Sequence, residues 1–278
     1  MSAARIKNLV LLILALTAAF LLAAVIPART ALVRQRREML QTLRGLFEAQ
    51  QISLELEQLP DSETLYTVEL TGEPLSAVSA LLQEPAEPAP DATRFEGRYT
   101  AASGSVTTGL SGAFRAELTG SEPVRDPQTH TERLLQNMQL RTGPVETVRE
   151  SAGVTLCSAG QQLLGVPVFD AELQFRYEDD RLVSVTGVCF PGAAALSRVS
   201  EAACISCADA LTAFLRSRND LGWLGSRVLS VTQGYVYAEA AAATRLAPIW
   251  RIETDTDVFR VSGITAEIRR ETPISSIS

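Results

Sequence analysis

The longest pattern in the chain is an unbroken apolar run from Leu9 to Ile26, with Thr17 its one polar member, Arg5 and Lys7 before it, and Pro27 and Arg29 after it. As a helix rising about 1.5 Å per residue, this run covers roughly 27 Å, close to the roughly 30 Å of a bilayer's hydrocarbon core. A cleaved signal peptide has a shorter apolar region, about 7 to 15 residues, and a small-residue cleavage site, which does not follow Ile26 cleanly. The run therefore predicts an uncleaved signal anchor. From Arg29 to Gln51 the period becomes helical: Leu32, Met39, Leu43, Leu46 and Phe47 fall near one face and Arg34, Arg37, Arg44 and Glu48 elsewhere. That predicts an amphipathic juxtamembrane helix.

Short runs of strand character follow at Ile52–Glu57, Leu65–Leu70, Arg94–Thr100 and Ala113–Leu118, with a short helix at Leu75–Leu82. Proline and acidic residues from Gln83 to Pro90 predict an exposed connection, and Pro123 and Pro127 mark a boundary within Thr119–Thr129. Beyond it, His130–Arg141 reads as a helix that carries Leu134, Leu135, Met138 and Leu140 to a core. Ala171, Leu173, Phe175 and Tyr177 then alternate with polar residues. The turn Glu178-Asp179-Asp180-Arg181 leads into Leu182–Val188, where Val183 and Val185 alternate with Ser184 and Thr186, which is a hairpin pattern. Ser206 caps a helix whose apolar positions are Cys207, Ala210, Leu211, Phe214 and Leu215. Strands return at Arg227–Tyr237, Ala247–Thr254 and Val258–Val261. The class is α+β: two modules of antiparallel sheet packed on helices behind a single transmembrane helix. The expected division is a cytoplasmic tail at 1–8, transmembrane helix at 9–26, juxtamembrane helix at 27–51, first module at 52–120, linker at 121–128, second module at 129–270 and flexible tail at 271–278.

Composition narrows the chemistry. The 278 residues carry a formal net charge of -7, one histidine (His130), four cysteines and a single lysine, Lys7. An acidic chain argues against nucleic acid as a partner. The poverty of histidine and lysine argues against an enzyme, and no catalytic, cofactor-binding or metal-ligating residue is expected. Cys204 and Cys207 form a C-x-x-C, the spacing of a redox pair or half a zinc site, but their apolar neighbours and the lack of a second such pair favour burial as small apolar side chains. Cys157 and Cys189 fall on expected strands; in an oxidising compartment they can pair with each other or with Cys204, and a fully paired set of four allows three connectivities. Their disulfide state stays open. Asp255-Thr256-Asp257 starts like a calcium loop but lacks the glycine and distal glutamate, and reads as a hairpin turn. Ser103-Gly104-Ser105 and Gly109-Leu110-Ser111-Gly112 lack the form of a nucleophile elbow and read as turns. His130 is expected in a solvated or capping role, and Tyr235, Trp250 and Phe259 in the core.

Charge alone leaves the orientation open. Arg29, Arg34, Arg36 and Arg37 outweigh Arg5 and Lys7, which taken alone would keep the carboxy-terminal part in the cytoplasm, yet long domains often translocate despite such charge.

Four segments carry a family resemblance: Gly165-Val166-Pro167-Val168-Phe169, Ile205-Ser206-Cys207-Ala208-Asp209-Ala210-Leu211, Gly234-Tyr235, and Leu246-Ala247-Pro248-Ile249-Trp250-Arg251-Ile252. In order and spacing they resemble the YycI/YycH regulatory proteins and, more broadly, PepSY-type domains. The resemblance implies a single-pass plasma-membrane protein of a Gram-positive bacterium with its carboxy-terminal part extracytoplasmic. It implies no active site, and regulation of the WalK (YycG) sensor histidine kinase, with a paralogous membrane regulator as a further partner. Two alternatives are a PepSY-type extracytoplasmic domain that binds a ligand or inhibits a protease, and a cysteine-dependent envelope oxidoreductase.

Overall fold

Three times along the chain a helix is followed by four antiparallel strands. The computed structural model describes residues 34–60, 62–92, 96–151, 153–191, 195–240 and 243–271, with Ile13, Leu14 and Thr17. Helix α1 (34–48) comes first, then the short strands β1 (Ser53–Leu54) and β2 (Val68–Leu70). The first repeat is α2 (Leu75–Leu82) with β3 (Glu87–Pro88), β4 (Gly97–Ala101), β5 (Gly104–Thr108) and β6 (Ala113–Leu118). The second is α3 (Pro127–Asn137) with β7 (Glu146–Ser151), β8 (Val154–Leu163), β9 (Val166–Glu178) and β10 (Arg181–Val188). After β11 (Leu196–Arg198) comes α4 (Cys207–Ser217) with β12 (Arg227–Ala238), β13 (Arg245–Thr254), β14 (Val258–Ser262) and β15 (Ile268–Arg270).

Strand β6 pairs antiparallel with β10, so the first two meanders merge into one sheet under α2 and α3. Its core holds Val78, Leu81, Val106, Leu134, Phe175 and Val185. This is the first lobe. The second lobe joins both ends of the chain: β1 lies parallel to β12, β2 pairs with β13, and Leu40, Leu43 and Phe47 of α1 pack with Leu211 and Phe214 of α4, Trp223, Trp250 and Phe259. The lobes meet at β9, whose later half pairs with β10 and whose Val168 pairs with Tyr235 of β12. Gly234 permits that approach: a Cβ there would lie 2.5 Å from the Phe169 ring and from the Pro167 carbonyl oxygen. Arg260 donates two bonds of 2.6 Å to the Asp170 carboxylate across the same seam.

The expected division into modules at 52–120 and 129–270 is corrected by these pairings. β1 and β2 belong to the sheet of α4, and β6 continues into β10 across the expected linker. The reason is that a strand edge carries unpaired N–H and C=O groups, and the facing edges of β6 and β10 satisfy each other. Helix α3 starts at Pro127, not His130, because Asp126 is its N-cap, accepting from the Gln128 amide at 3.1 Å. Proline at the first position fits there, since its missing N–H has no intrahelical partner to lose. Helix α1 ends at 48 and Gln51 turns left-handed, φ 61°. Its inward residues are Leu40, Leu43 and Phe47; Met39 and Leu46 are exposed. The connection 83–90 is not wholly exposed, since Ala86 is buried and Glu87–Pro88 pairs with β4.

The turn Asp179-Asp180 has both φ angles positive, 46° and 60°, the primed geometry that matches the strands' twist. A bulge between Leu182 and Ser184 breaks the alternation in β10, so Leu182 and Val185 are buried and Val183 is not. Glu271 is no part of a flexible tail, as it accepts from Arg251 and Arg260 at 3.1 Å each. Residues 272–278 lie outside the described residues. So does the expected transmembrane helix at 9–26, apart from Ile13, Leu14 and Thr17. Among the described residues no helix is long and apolar enough to cross a membrane.

Candidate functional site

The first lobe carries an open groove of about 590 Å³ between the end of α2, the β4–β5 turn and the start of α3. Its walls include Leu82, Glu84, Ser103, Ser121, His130 and Leu182. The αL residue Gln83, φ 57°, ends α2 and turns Glu84 toward the β4–β5 turn. There the Glu84 carboxylate accepts from the Ser103 amide, and that bonding to Ser103 holds its carboxyl below the usual range.

Helical spacing and strand alternation place the one histidine of the chain. His130 and Thr131 sit a turn before Leu134 and Leu135 on α3, and Tyr177 ends the inward row of β9. The Tyr177 hydroxyl lies 2.8 Å from Thr131 Oγ1 and 2.9 Å from His130 Nδ1, with the imidazole edge-on to the phenol ring. His130 therefore neither caps the helix nor stands free in solvent. Burial, and then the charge of Arg133, lower its pKa, so the ring is neutral at neutral pH. Burial also pushes the Tyr177 hydroxyl up and keeps it protonated. The trio fixes the imidazole at the groove wall. The two groove serines are committed elsewhere: Ser103 Oγ donates to the Leu82 carbonyl at 2.8 Å and Ser121 Oγ to the Leu182 carbonyl at 2.7 Å. This wall can bind and orient a ligand; its two serine hydroxyls are bonded to backbone carbonyls and not to the histidine.

Cys157, Cys189, Cys204 and Cys207 are free thiols, with Cys157 on β8, Cys189 just beyond β10, and the other pair at the entry to α4. Burial pushes Cys207 up to about 12 and raises Cys189 and Cys204 as well. A reactive thiolate needs the opposite shift. Cys204 packs against the core of the second lobe and against the seam cluster, while its amide donates to the Leu65 carbonyl at 2.7 Å. Asp255-Thr256-Asp257 is a turn: Thr256 Oγ1 accepts from Trp223 Nε1 at 3.0 Å and Asp255 Oδ2 accepts from the Ser226 amide at 3.0 Å. Burial works against the Asp255 charge, but the bonds from Ser226 and Arg227 outweigh it and lower the carboxyl. Among the described residues no group of histidine, cysteine and carboxylate side chains is placed to hold a metal ion. Ser103-Gly104-Ser105 spans the β4–β5 turn and the start of β5, and Gly109–Gly112 the β5–β6 connection. Tyr235, Trp250 and Phe259 are fully buried.

Sequence reasoning singled out His130 without its partners. The signal for Tyr177 was its inward position on the alternating strand; the contact itself spans 47 positions and leaves no local trace. The four segments behind the family resemblance do come together. Val168 faces Tyr235, Gly234 lies against Phe169, Pro248 pairs with Tyr235, and Trp250 Nε1 donates to the Ile205 carbonyl at 2.9 Å. They are packing joints at the seam and the α4 entry.

No family model matches the chain. No curated protein matches it. Among solved structures, the chain is similar to the Bacillus megaterium YpeB C-terminal domain, with a TM-score of 0.33 and 10% sequence identity over 70% of this chain and 95% of that one.

Proposed function

We propose that the protein is a non-catalytic, single-pass regulator whose α+β body lies outside the plasma membrane and modulates a sensor histidine kinase through membrane-helix and external contacts. One observation carries this reading. The described part of α1 follows the apolar run Leu9–Ile26 closely in sequence, and it is not a loose tether: Leu40, Leu43 and Phe47 are buried in the core of the second lobe. A shift of the anchor relative to the bilayer is then felt by that core. A partner helix in the membrane needs only a modest difference in affinity between two states to bias signalling.

Crosslinking in cells from sites within Leu9–Ile26 should capture a sensor kinase, and a flexible glycine-serine insert between Val33 and Arg34 should abolish regulation while the tryptophan fluorescence of the folded body is kept. Unchanged signalling with the insert overturns the coupling. The groove beside His130 supports a second reading, a PepSY-type module that binds a ligand or inhibits a protease. Recovery of a protease or an envelope fragment by pull-down, with no kinase, would favour it.

A further inference from the structure

β7 is the outer strand of the first lobe's sheet. Among the described residues it pairs with β8 on one side only, and all 6 of its residues are exposed, Val148 at 59%. The sheet's other outer strand, β3, has 2 residues, one of them Pro88. Proline and shortness blunt that edge, whereas β7 is guarded by the charges of Glu146, Arg149 and Glu150 and by the register shift before Ser151, so its edge is selective and takes only a strand that matches those charges. An open edge presents a row of N–H and C=O groups that an extended segment can satisfy strand to strand.

The side chains say which segment. Thr147 Oγ1 lies 3.5 Å from the buried Cys157 Sγ, so Thr147 and Arg149 face the α3 side of the sheet. Glu146, Val148 and Glu150 face the open side, where Glu150 lies 3.6 Å from Arg176. The ladder is regular from Glu146 to Arg149 and shifts before Ser151, so the first four residues form the template. A second copy of β7 does not fit well. Antiparallel pairing about a two-fold axis keeps each residue on its face, so a register centred on Val148 opposes Glu146 to Glu150, one centred on Arg149 opposes two arginines, and one centred on Thr147 opposes Glu146 to Val148 and leaves Arg149 against the buried Val145, with no charge matched.

We propose that β7 is a strand-addition site for an extended segment of a partner protein that reads, from its amino end, acidic, aliphatic, any residue, basic. Laid antiparallel, these residues meet Arg149, Val148, Thr147 and Glu146 in turn. The site stands on the sheet geometry and is independent of whether residues 9–26 cross a membrane.

The test uses the full chain in detergent micelles and two probe peptides, acetyl-Thr-Glu-Val-Thr-Lys-Thr-amide and its charge-reversed counterpart with Lys and Glu exchanged. The first peptide should slow amide hydrogen exchange across Glu146–Ser151 and bind about tenfold more tightly than the second. The paired substitution Glu146→Lys with Arg149→Glu, both on exposed positions, should invert that preference. No protection of β7 at saturating peptide, equal binding of the two peptides, or an uninverted preference would each overturn the proposal. So would protection of β7 that rises with protein concentration in the absence of peptide, which would make the occupant another copy of this chain.

Discussion

The two lobes share a plan, a pair of helices packed on antiparallel strands, and fill it differently. Beneath α2 and α3 the core is mainly aliphatic, with one polar knot of Thr131, His130 and Tyr177. Beneath α1 and α4 the aliphatic residues surround a knot of rings: the Phe214 ring lies 5.0 Å from Trp223 and 5.1 Å from Phe259, and Phe47 and Trp250 belong to the same core. The first lobe is made of consecutive segments, so short apolar side chains on neighbouring strands meet without long-range help. The second must hold α1 and β1 against strands from the far end of the chain. Large rings bury more surface per residue and suit that task. Both tryptophans of the chain, Trp223 and Trp250, fall in the second lobe, so selectively excited tryptophan fluorescence reports on that lobe.

That contrast can be broken most forcefully at Phe214. Phe214→Ala should cost about 3–5 kcal/mol, moving the fluorescence-detected urea transition to lower denaturant while the amides of β8–β10 keep their exchange protection. Matched loss in both regions would show instead that the lobes unfold as one unit. A smaller effect is expected from Tyr177→Phe, which leaves Thr131 Oγ1 and His130 Nδ1 without their partner and should cost about 1–3 kcal/mol. Amide exchange in β8–β10 should speed up while the tryptophan transition stays in place; a shift of that transition would tie the polar knot to the second lobe. The smallest effect concerns pH. Because burial and Arg133 depress the His130 pKa below its ordinary 6.5, the unfolded chain binds the proton more readily. The contribution is complete above that value and is lost as pH falls below it. Amide protection in the first lobe should decline through this window in the native protein and stay flat in His130→Gln; parallel declines in the two would remove the histidine from the account.

Much of the local architecture was legible. Leu75–Leu82 and Ala113–Leu118 lie where period and flanking residues put them, the Asp179-Asp180 turn joins the expected hairpin, and Ser206 caps α4 by accepting from the Asp209 amide at 3.2 Å. These features depend on neighbours a few positions away. What the chain did not declare was partnership. Two-residue β1 finds Arg227 and Val228, β6 finds β10, and nothing in Ser53 or Ala116 specifies those strands. Asp126-Pro127 was a legible helix start that Pro123, four residues before Pro127, disguised as a linker. In the candidate site, His130 was visible as the single histidine, while the groove depends on α2, a hairpin turn and α3 coming together from separate stretches.

The parallel pairing of Ser53–Leu54 with Arg227–Val228 has a kinetic side. The α2 and α3 repeats close through neighbouring hairpins and can form as the chain emerges from the ribosome. Helix α1 cannot: its inward residues Leu40, Leu43 and Phe47 wait for Phe214, Trp250 and Phe259, made last. Closing so large a loop is slow. During synthesis the first amphipathic helix therefore keeps a bare apolar stripe until those late residues have been added.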